Sequence, residues 1–291
     1  MKKKSFKSIN RSARVSRSKC GTLALFLFLA VFACFMAIPM VLIIGNAFKP
    51  ADELWYFPPR LLPSNPTLIN FVDMFQVLSD SWVPFTRYLF NTLLITGVGT
   101  VGHIILSSMC AFPLAKKVFP GKNLFFSIVV LSLMFNATVT SIPNYLIMSK
   151  ISWIDTYWAL IVPAIGAPMG LYLMKQFMEQ LPDSMLEAAY IDGANEFTSF
   201  WKIVMPNVRS AWLTLLLLCF QSLWGIGSTN FIYKEELKTL PYALSQILAA
   251  GIARAGVGAA VSVFMMILPI SIFIITQSNI IETMATSGMK N

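Results

Sequence analysis

Six long apolar segments dominate this chain, at about 22–45, 88–112, 124–148, 156–174, 210–229 and 255–279. Each is about 19–25 residues long. At a rise of about 1.5 Å per residue, such a helix spans a hydrocarbon core of about 30 Å. Lipid offers no hydrogen bonds to a bare backbone, so runs of this length fold as helices. A β-barrel would need short segments alternating apolar and polar residues, and these runs do not alternate. The expected fold is an all-α polytopic membrane protein with six transmembrane helices. Only 12% of the residues are charged, against about 25% in a soluble domain. That leaves too little polar surface to solvate a 291-residue globule, which excludes an ordinary soluble enzyme and a disordered chain.

Charge sets the orientation. Residues 1–21 form a basic segment with Lys2, Lys3, Lys4, Lys7, Arg11, Arg14, Arg17 and Lys19 and no acid. A basic run suits nucleic acid or a membrane flank. Placed directly before an apolar run, it reads as a cytoplasmic flank, and no nucleic-acid partner is expected. The first apolar run is too long for a cleaved signal peptide, so it is expected to remain as a helix. Six spans put both ends on one side. That side collects the N-terminal bases, then Lys116, Lys117 and Lys122, then Lys175, Lys202 and Arg209, then Lys290. Both termini are therefore expected in the cytoplasm. The chain divides into the basic segment 1–21, a six-span domain 22–279 and a cytoplasmic tail 280–291. The domain carries an external loop at 46–87 and a cytoplasmic loop at 175–209. Within the external loop, 67–78 is expected to be a short amphipathic helix on the membrane face.

Chemistry-bearing motifs are sparse. Cys20, Cys34, Cys110 and Cys219 are far apart, with no CxxC, so neither a disulfide framework nor a zinc site is supported. No G-x-x-x-x-G-K-[ST] run occurs, so ATP is not expected to bind this chain by that device. Gly97-Val-Gly99-Thr-Val-Gly102 satisfies G-x-G-x-x-G. It lies within an apolar segment and not after a strand, so it reads as close helix packing. Gly166 and Gly170 form a similar pair. His103 is the one residue among Asp, Glu, Lys, Arg and His well inside the six segments, and it reads as a packing or pore-lining group sooner than a proton relay. Uncharged polar residues do lie at depth: Asn136, Thr138, Thr140, Ser141 and Asn144, then Gln221 and Ser222. They fit interhelical hydrogen bonding, and equally a wet path for a polar, uncharged solute. Trp153, Tyr157, Trp158 and Tyr172 sit near segment ends and suit an interface belt.

The second cytoplasmic loop is the most informative stretch. Pro182-Asp183 is a start signal, Ser184-x-x-Glu187 fits a capping box, and Asp192-Gly193 supplies a turn. Pro206 marks a break before the fifth segment. Two short helices with a turn between are expected, and Leu186, Tyr190, Phe197, Trp201 and Val204 give them an apolar side. Such a hairpin outside the bilayer suits a groove in a partner protein.

This stretch resembles the EAA loop of bacterial ABC importer permeases, E-A-A-x-x-x-G followed about nine residues later by I-x-L-P. Glu187-Ala188-Ala189, Gly193, Ile203 and Pro206 match, with Met205 in place of leucine. The likeness runs along nearly the whole chain and is to the second permease of maltose-type oligosaccharide importers. Supporting stretches include Pro58-Pro59-Arg60, Asn91-Thr92-Leu93, Phe119-Pro120-Gly121-Lys122 and Thr156-Tyr157-Trp158. The resemblance implies a multi-pass protein of the bacterial cell membrane that is itself no enzyme and binds no cofactor. Its implied partners are a homologous first permease, two cytoplasmic ATPases holding ATP and Mg, an external solute-binding protein and a carbohydrate. Glu187, Ala188, Ala189, Asp192, Gly193, Ala194 and Pro206 would couple it to the ATPase. The solute path would draw on Asn136, Thr140, Asn144, Gln221 and Trp224. The family often carries W-N-[DE]-F near the end of the fifth span, and here Trp224-Gly225-Ile226-Gly227 stands instead. A permease for another solute, such as glycerol phosphate or a polyamine, and a gradient-driven carrier remain the alternatives.

Overall fold

A computed structural model describes residues 19–79, 83–227, 230–249 and 254–287. The expected basic flank ahead of Lys19 and the last residues of the tail lie outside these ranges. The described residues are mostly helical and hold no strand.

Helix α1 (Lys19–Ala47) is the most apolar of the helices long enough to cross a membrane and has no buried face over its apolar stretch. Phe26, Phe35 and Met36 are each 66% exposed on successive sides of it, as a helix surrounded by acyl chains would be. Its last carbonyls have no partner within the helix. The buried Asn70 amide supplies one, donating to Ala47 O at 3.0 Å and Lys49 O at 2.7 Å. Asn70 belongs to α2 (Ile69–Ser79), the short helix expected in the external loop.

Helix α3 (Phe85–Lys116) is the hub. It packs against α6 (Trp158–Ile165), α7 (Pro168–Glu179) and α11 (Arg209–Trp224), and touches α12 (Leu240–Ala249). Three apolar clusters are strung along it. Tyr88 meets Met74, Leu240 and Val261 at one end. Ile95 meets Leu160, Ile161, Cys219 and Leu223 midway. Ala111 and Phe112 meet Met174, Met178 and Leu215 at the other end.

Small residues let the helices approach. A Cβ on Gly99 would lie 2.6 Å from Leu223 Cδ1, and one on Gly102 2.6 Å from Ile165 Cδ1. Gly99 and Gly102 of the G-x-G-x-x-G run are thus helix-packing positions, as their place in an apolar segment predicts, whereas a Cβ on exposed Gly97 would meet nothing within 4 Å. His103 is 2% exposed, and its Nδ1 lies 2.9 Å from Ile165 O. Helix α6 ends at Gly166 there and α7 starts afresh at Pro168. The imidazole therefore satisfies a carbonyl that the broken helix leaves open, which is the packing reading of this histidine.

Several segments depart from single straight helices. The third is two helices, α4 (Lys122–Ser132) and α5 (Ala137–Lys150), parted at 133–136. Asn136 caps α5 by accepting from Thr138 N at 2.9 Å. The fourth is interrupted at 166–167, between α6 and α7, although Trp158–Glu179 still counts as one span. The fifth stops at Trp224, with Gly225 as its C-cap. The sixth runs long, as α13 (Ala255–Ser287). Helix α12 lies between the fifth and sixth segments, where only a connection was expected. Among the described residues four helices are long and apolar enough to cross a membrane, or five if the bent pair ending in α11 counts as one.

A polar staple holds the Phe85 end. Fully buried Asn91 donates to Glu236 O and Lys238 O, both at 2.8 Å, and accepts from Tyr157 OH at 2.7 Å. Thr92 Oγ1 accepts from Leu240 N at 2.8 Å. The Asn91-Thr92 pair thus fixes the turn at 235–237 and the start of α12. Tyr157 serves this staple through its hydroxyl.

Candidate functional site

The loop at 175–209 folds as a hairpin. Its first arm is α8 (Asp183–Ile191). Its second arm begins as α9 (Glu196–Ser199), passes through a π turn at Phe200–Val204, and ends in α10 (Met205–Asn207). Pro206 has no N–H to return to the carbonyl four residues back, and a wider turn stands directly before it. The chain then bends by 78° between 196–207 and α11. Trp212 Nε1 secures the bend by donating to Met205 O at 3.1 Å.

The Glu187-Ala188-Ala189-x-x-x-Gly193 spacing has a direct structural cause. Gly193 sits at φ +83°, in the left-handed region that favours glycine. Its N–H reaches Tyr190 O at 3.1 Å, and Ala194 N reaches Ala189 O at 2.9 Å. These two bonds form a Schellman stop that satisfies the last carbonyls of α8. Ala189 is 6% exposed, so its small side chain lets the arm lie close to its neighbours. The expected capping box does not form. Helix α8 starts at Asp183, Ser184 lies inside the first turn, and no side chain caps that end. The side-chain cap belongs to the second arm, where Asn195 accepts from Thr198 N at 2.7 Å.

The expected apolar side of the hairpin splits in two. Leu186 and Val204, joined by Phe200, Met205 and Val208, are buried against Ala111, Phe112, Met174 and Met178. Burying each large apolar side chain contributes about 1.5–3 kcal/mol. The other set faces out: Ile191 is 86% exposed, Phe197 67%, and Tyr190 and Trp201 37% each. Glu187, Ala188, Asp192 and Gly193 share that exposure, Ala194 is partly covered and Pro206 is exposed. All seven residues read as coupling residues thus sit on one hairpin with an outward apolar face.

Charges tie the hairpin to the end of α3. Lys116 donates to Leu181 O at 2.5 Å and to Asp183 Oδ1 at 2.8 Å. Lys117 pairs with Glu196 Oε1 and reaches Tyr190 OH at 3.2 Å, and Tyr190 OH donates to Glu196 Oε2 at 3.0 Å. The hydrogen bond from Lys116 holds the Asp183 carboxyl below its ordinary range, and that from Lys117 does the same for Glu196.

The residues read as a solute path do not converge on one cavity. Asn144 lines an open cavity of about 430 Å³ with Pro163, Ser222, Ile226, Gly227 and Phe231. A second cavity of about 230 Å³ shares Leu160 and Gly227 and continues to Tyr233, Lys238 and Tyr242. Asn136 is spent as a helix cap, and Thr140 lines neither of these cavities. Gln221 lies in a different groove, with Phe220, Pro269 and Phe273. Trp224 is 6% exposed, stacks on Phe220 and donates to Met265 O at 3.0 Å, so it binds α11 to α13. Sequence reading missed Phe231 and Tyr233, which lie beyond the apolar segment. Tyr145 OH lies 3.2 Å from Tyr233 OH. Asp155 fixes their loop by accepting from Tyr233 N at 2.6 Å and Lys234 N at 2.9 Å, and those N–H groups hold its carboxyl below the ordinary range.

Comparison with known proteins decides the family. The family described as "Binding-protein-dependent transport system inner membrane component" matches residues 16–283. This chain belongs to that family. The resemblance read from the 187–206 stretch is thereby borne out, and the chain is a multi-pass inner-membrane component of a transport system. The arabinooligosaccharides transport system permease protein AraQ of Halalkalibacterium halodurans is 30% identical over 273 residues, 91% of this chain and 94% of that protein. The sn-glycerol-3-phosphate transport system permease protein UgpE of Yersinia enterocolitica is 33% identical over 177 residues, 56% of this chain and 63% of that protein. Among solved structures, a chain of a bacterial ABC transporter involved in the import of the acidic polysaccharide alginate shares the fold. Its TM-score is 0.77 at 22% identity, with 90% of this chain and 98% of that chain covered.

Proposed function

We propose that this chain is the transmembrane permease subunit of an ATP-driven, binding-protein-dependent importer of oligosaccharides. The observation that carries the reading is the hairpin at 183–207. It pairs an exposed apolar face with a buried face seated on the hub helix. A surface of that shape suits a groove in a cytoplasmic ATPase. Glu187, Ala188, Ala189, Asp192, Gly193, Ala194 and Pro206 make or shape that contact. ATP and Mg reside on the ATPase pair, and this chain performs no catalysis.

In this account the chain crosses the membrane six times with both termini in the cytoplasm. The α4–α5 pair counts as one broken crossing, which is tolerated where the break is shielded by protein or lines a cavity. A homologous first permease covers the outward faces of α4 and α5 and the break between them, where Ile142 is 71% and Met134 80% exposed. ATP closes the ATPase dimer, the hairpin follows, and the two permeases switch the access of the cavity between them. An external binding protein delivers solute to the loop 46–87 and the turn at 233–239.

The cavity supports a sugar. It joins the aromatic Phe231 to the uncharged donors and acceptors of Asn144 and Ser222, and among the described residues no cation lines it. A phosphate ester would want arginine or lysine there. Lys238 stands in the adjoining cavity but already serves Glu235 Oε2 at 2.7 Å. Likeness to AraQ, which covers more of both chains than that to UgpE, favours the same class. ATP-dependent uptake of labelled arabino-oligosaccharide into vesicles holding the full complex tests this. Uptake competed by other oligosaccharides but not by glycerol phosphate is expected. Preferential competition by glycerol phosphate would overturn the sugar assignment.

A further inference from the structure

The hairpin has three routes into the membrane helices. The peptide chain gives two, back through residues 180–182 to α7 and onward into α11. The turn into α11 is 78°, so a push along the hairpin meets α11 side-on. The third is α3, which the hairpin touches at successive positions along the helix end. Phe112 lies under Phe200 with ring centroids 5.6 Å apart. Lys116 holds the entry to the first arm, through Leu181 O and Asp183. Lys117 holds the start of the second arm, through Glu196 and Tyr190.

The Lys116 side chain is only 4% exposed. A lysine that merely marked the cytoplasmic side would extend its ammonium into water. This one is drawn in and bonded to a carbonyl and a carboxylate, a geometry that a buried cation needs. Each arm has its own cation and its own acid, so the hairpin can neither slide along α3 nor swing off it without parting a charged pair. Helix α3 in turn packs against α6 and α11, whose residues line the solute cavity.

We propose that Lys116 and Lys117 are positioning residues that latch the hairpin to α3, so that the ATPase stroke enters the spans through α3. This rests on the coupling role proposed above. The latch makes the hairpin and the end of α3 one rigid body during transport.

The test uses the reconstituted complex of both permeases, the ATPase and the solute-binding protein. Hydrolysis stimulated by loaded binding protein is measured for Lys117→Glu, Glu196→Lys and the double reversal. Each single reversal is expected to lower the stimulated rate about fivefold while the ATPase still co-purifies, and the double reversal to restore most of it. A thiol-specific cross-linker joining Lys117→Cys to Glu196→Cys, in a background without the native cysteines, is expected to leave stimulation intact. Lys116→Met, which keeps the apolar stem and removes the charge, is expected to uncouple without loss of assembly. Full stimulation in both single reversals, no rescue in the double, or abolition by the cross-link would each overturn the latch. A complex with no reversals that shows no stimulation would strike the importer reading instead.

Discussion

Gly193→Ala isolates the conformation on which the hairpin turns. Gly193 holds φ +83°, and a Cβ placed on it would meet nothing within 4 Å. The penalty is therefore conformational and not a clash. An L-residue in the left-handed region loses about 1–2 kcal/mol, while asparagine tolerates it better. If the docking geometry needs that turn, the competent fraction of hairpins falls, and apparent affinity for the ATPase falls with it. A change of one or two kcal/mol corresponds to a factor of about 5–30. The assay is binding of purified ATPase to the permease pair in lipid nanodiscs. The expected order of affinity is glycine, then asparagine, then alanine, with alanine weaker than glycine by about that factor. An alanine variant that binds as tightly as the parent, or an asparagine variant weaker than alanine, would refute the argument.

Other consequences follow from the same geometry. Gly170→Ala would place a Cβ 2.3 Å from His103 Nε2 and 2.5 Å from Ser107 Oγ, so α3 and α7 must part. Overpacking of this kind costs about 1–3 kcal/mol and should appear as a lower unfolding temperature in detergent. Asn91→Ala strands two backbone carbonyls and the Tyr157 hydroxyl, each unmet group costing about 1–3 kcal/mol. Limited proteolysis is expected to open the 230–240 turn first in that variant. The carboxyls of Asp183 and Glu196 have lowered values in the folded state. Their contribution is therefore full above the ordinary carboxylate value of about 4 and is lost as pH falls through the lowered values. Protection factors of the hairpin amides, which remove the intrinsic pH dependence of exchange, should hold on acidification towards that value and fall only below it, and loss of protection already between neutral and mildly acidic pH would contradict the pairing.

Much of the architecture was legible because its causes are local. Unbroken apolar length gave α1, α3 and α13, and the Gly99 and Gly102 approaches followed from small residues inside a span. Gly193 was legible because a helix followed by Asp-Gly has few ways to stop. The breaks were not, since mean hydropathy counts residues and is blind to the backbone. Gly166 beside Pro168, and Asn136 ahead of α5, carry the signals for two of them. The capping box failed because the N-cap is Pro182, two residues earlier than Ser184, so Ser184 falls inside the first turn. The solute path was the least legible part. Gln221 and Trp224 share a helix with Ser222, but only the Ser222 side faces the cavity. Facing depends on a helix rotation set by α13, which no polarity pattern in the fifth segment encodes. Phe231 and Tyr233 enter through the Asp155 loop, a contact across 78 residues of chain.

The central claim is that this permease passes the work of ATP to a solute through its cytoplasmic hairpin. ATP hydrolysis in vesicles that hold this chain, its sister permease and the ATPase tests it most directly, with binding protein added empty or loaded. The account predicts hydrolysis that rises with sugar-loaded binding protein, and in Gly193→Ala a rise reduced in step with the weaker docking of the ATPase. Solute flux by this chain alone, without ATP and indifferent to the hairpin, would contradict it.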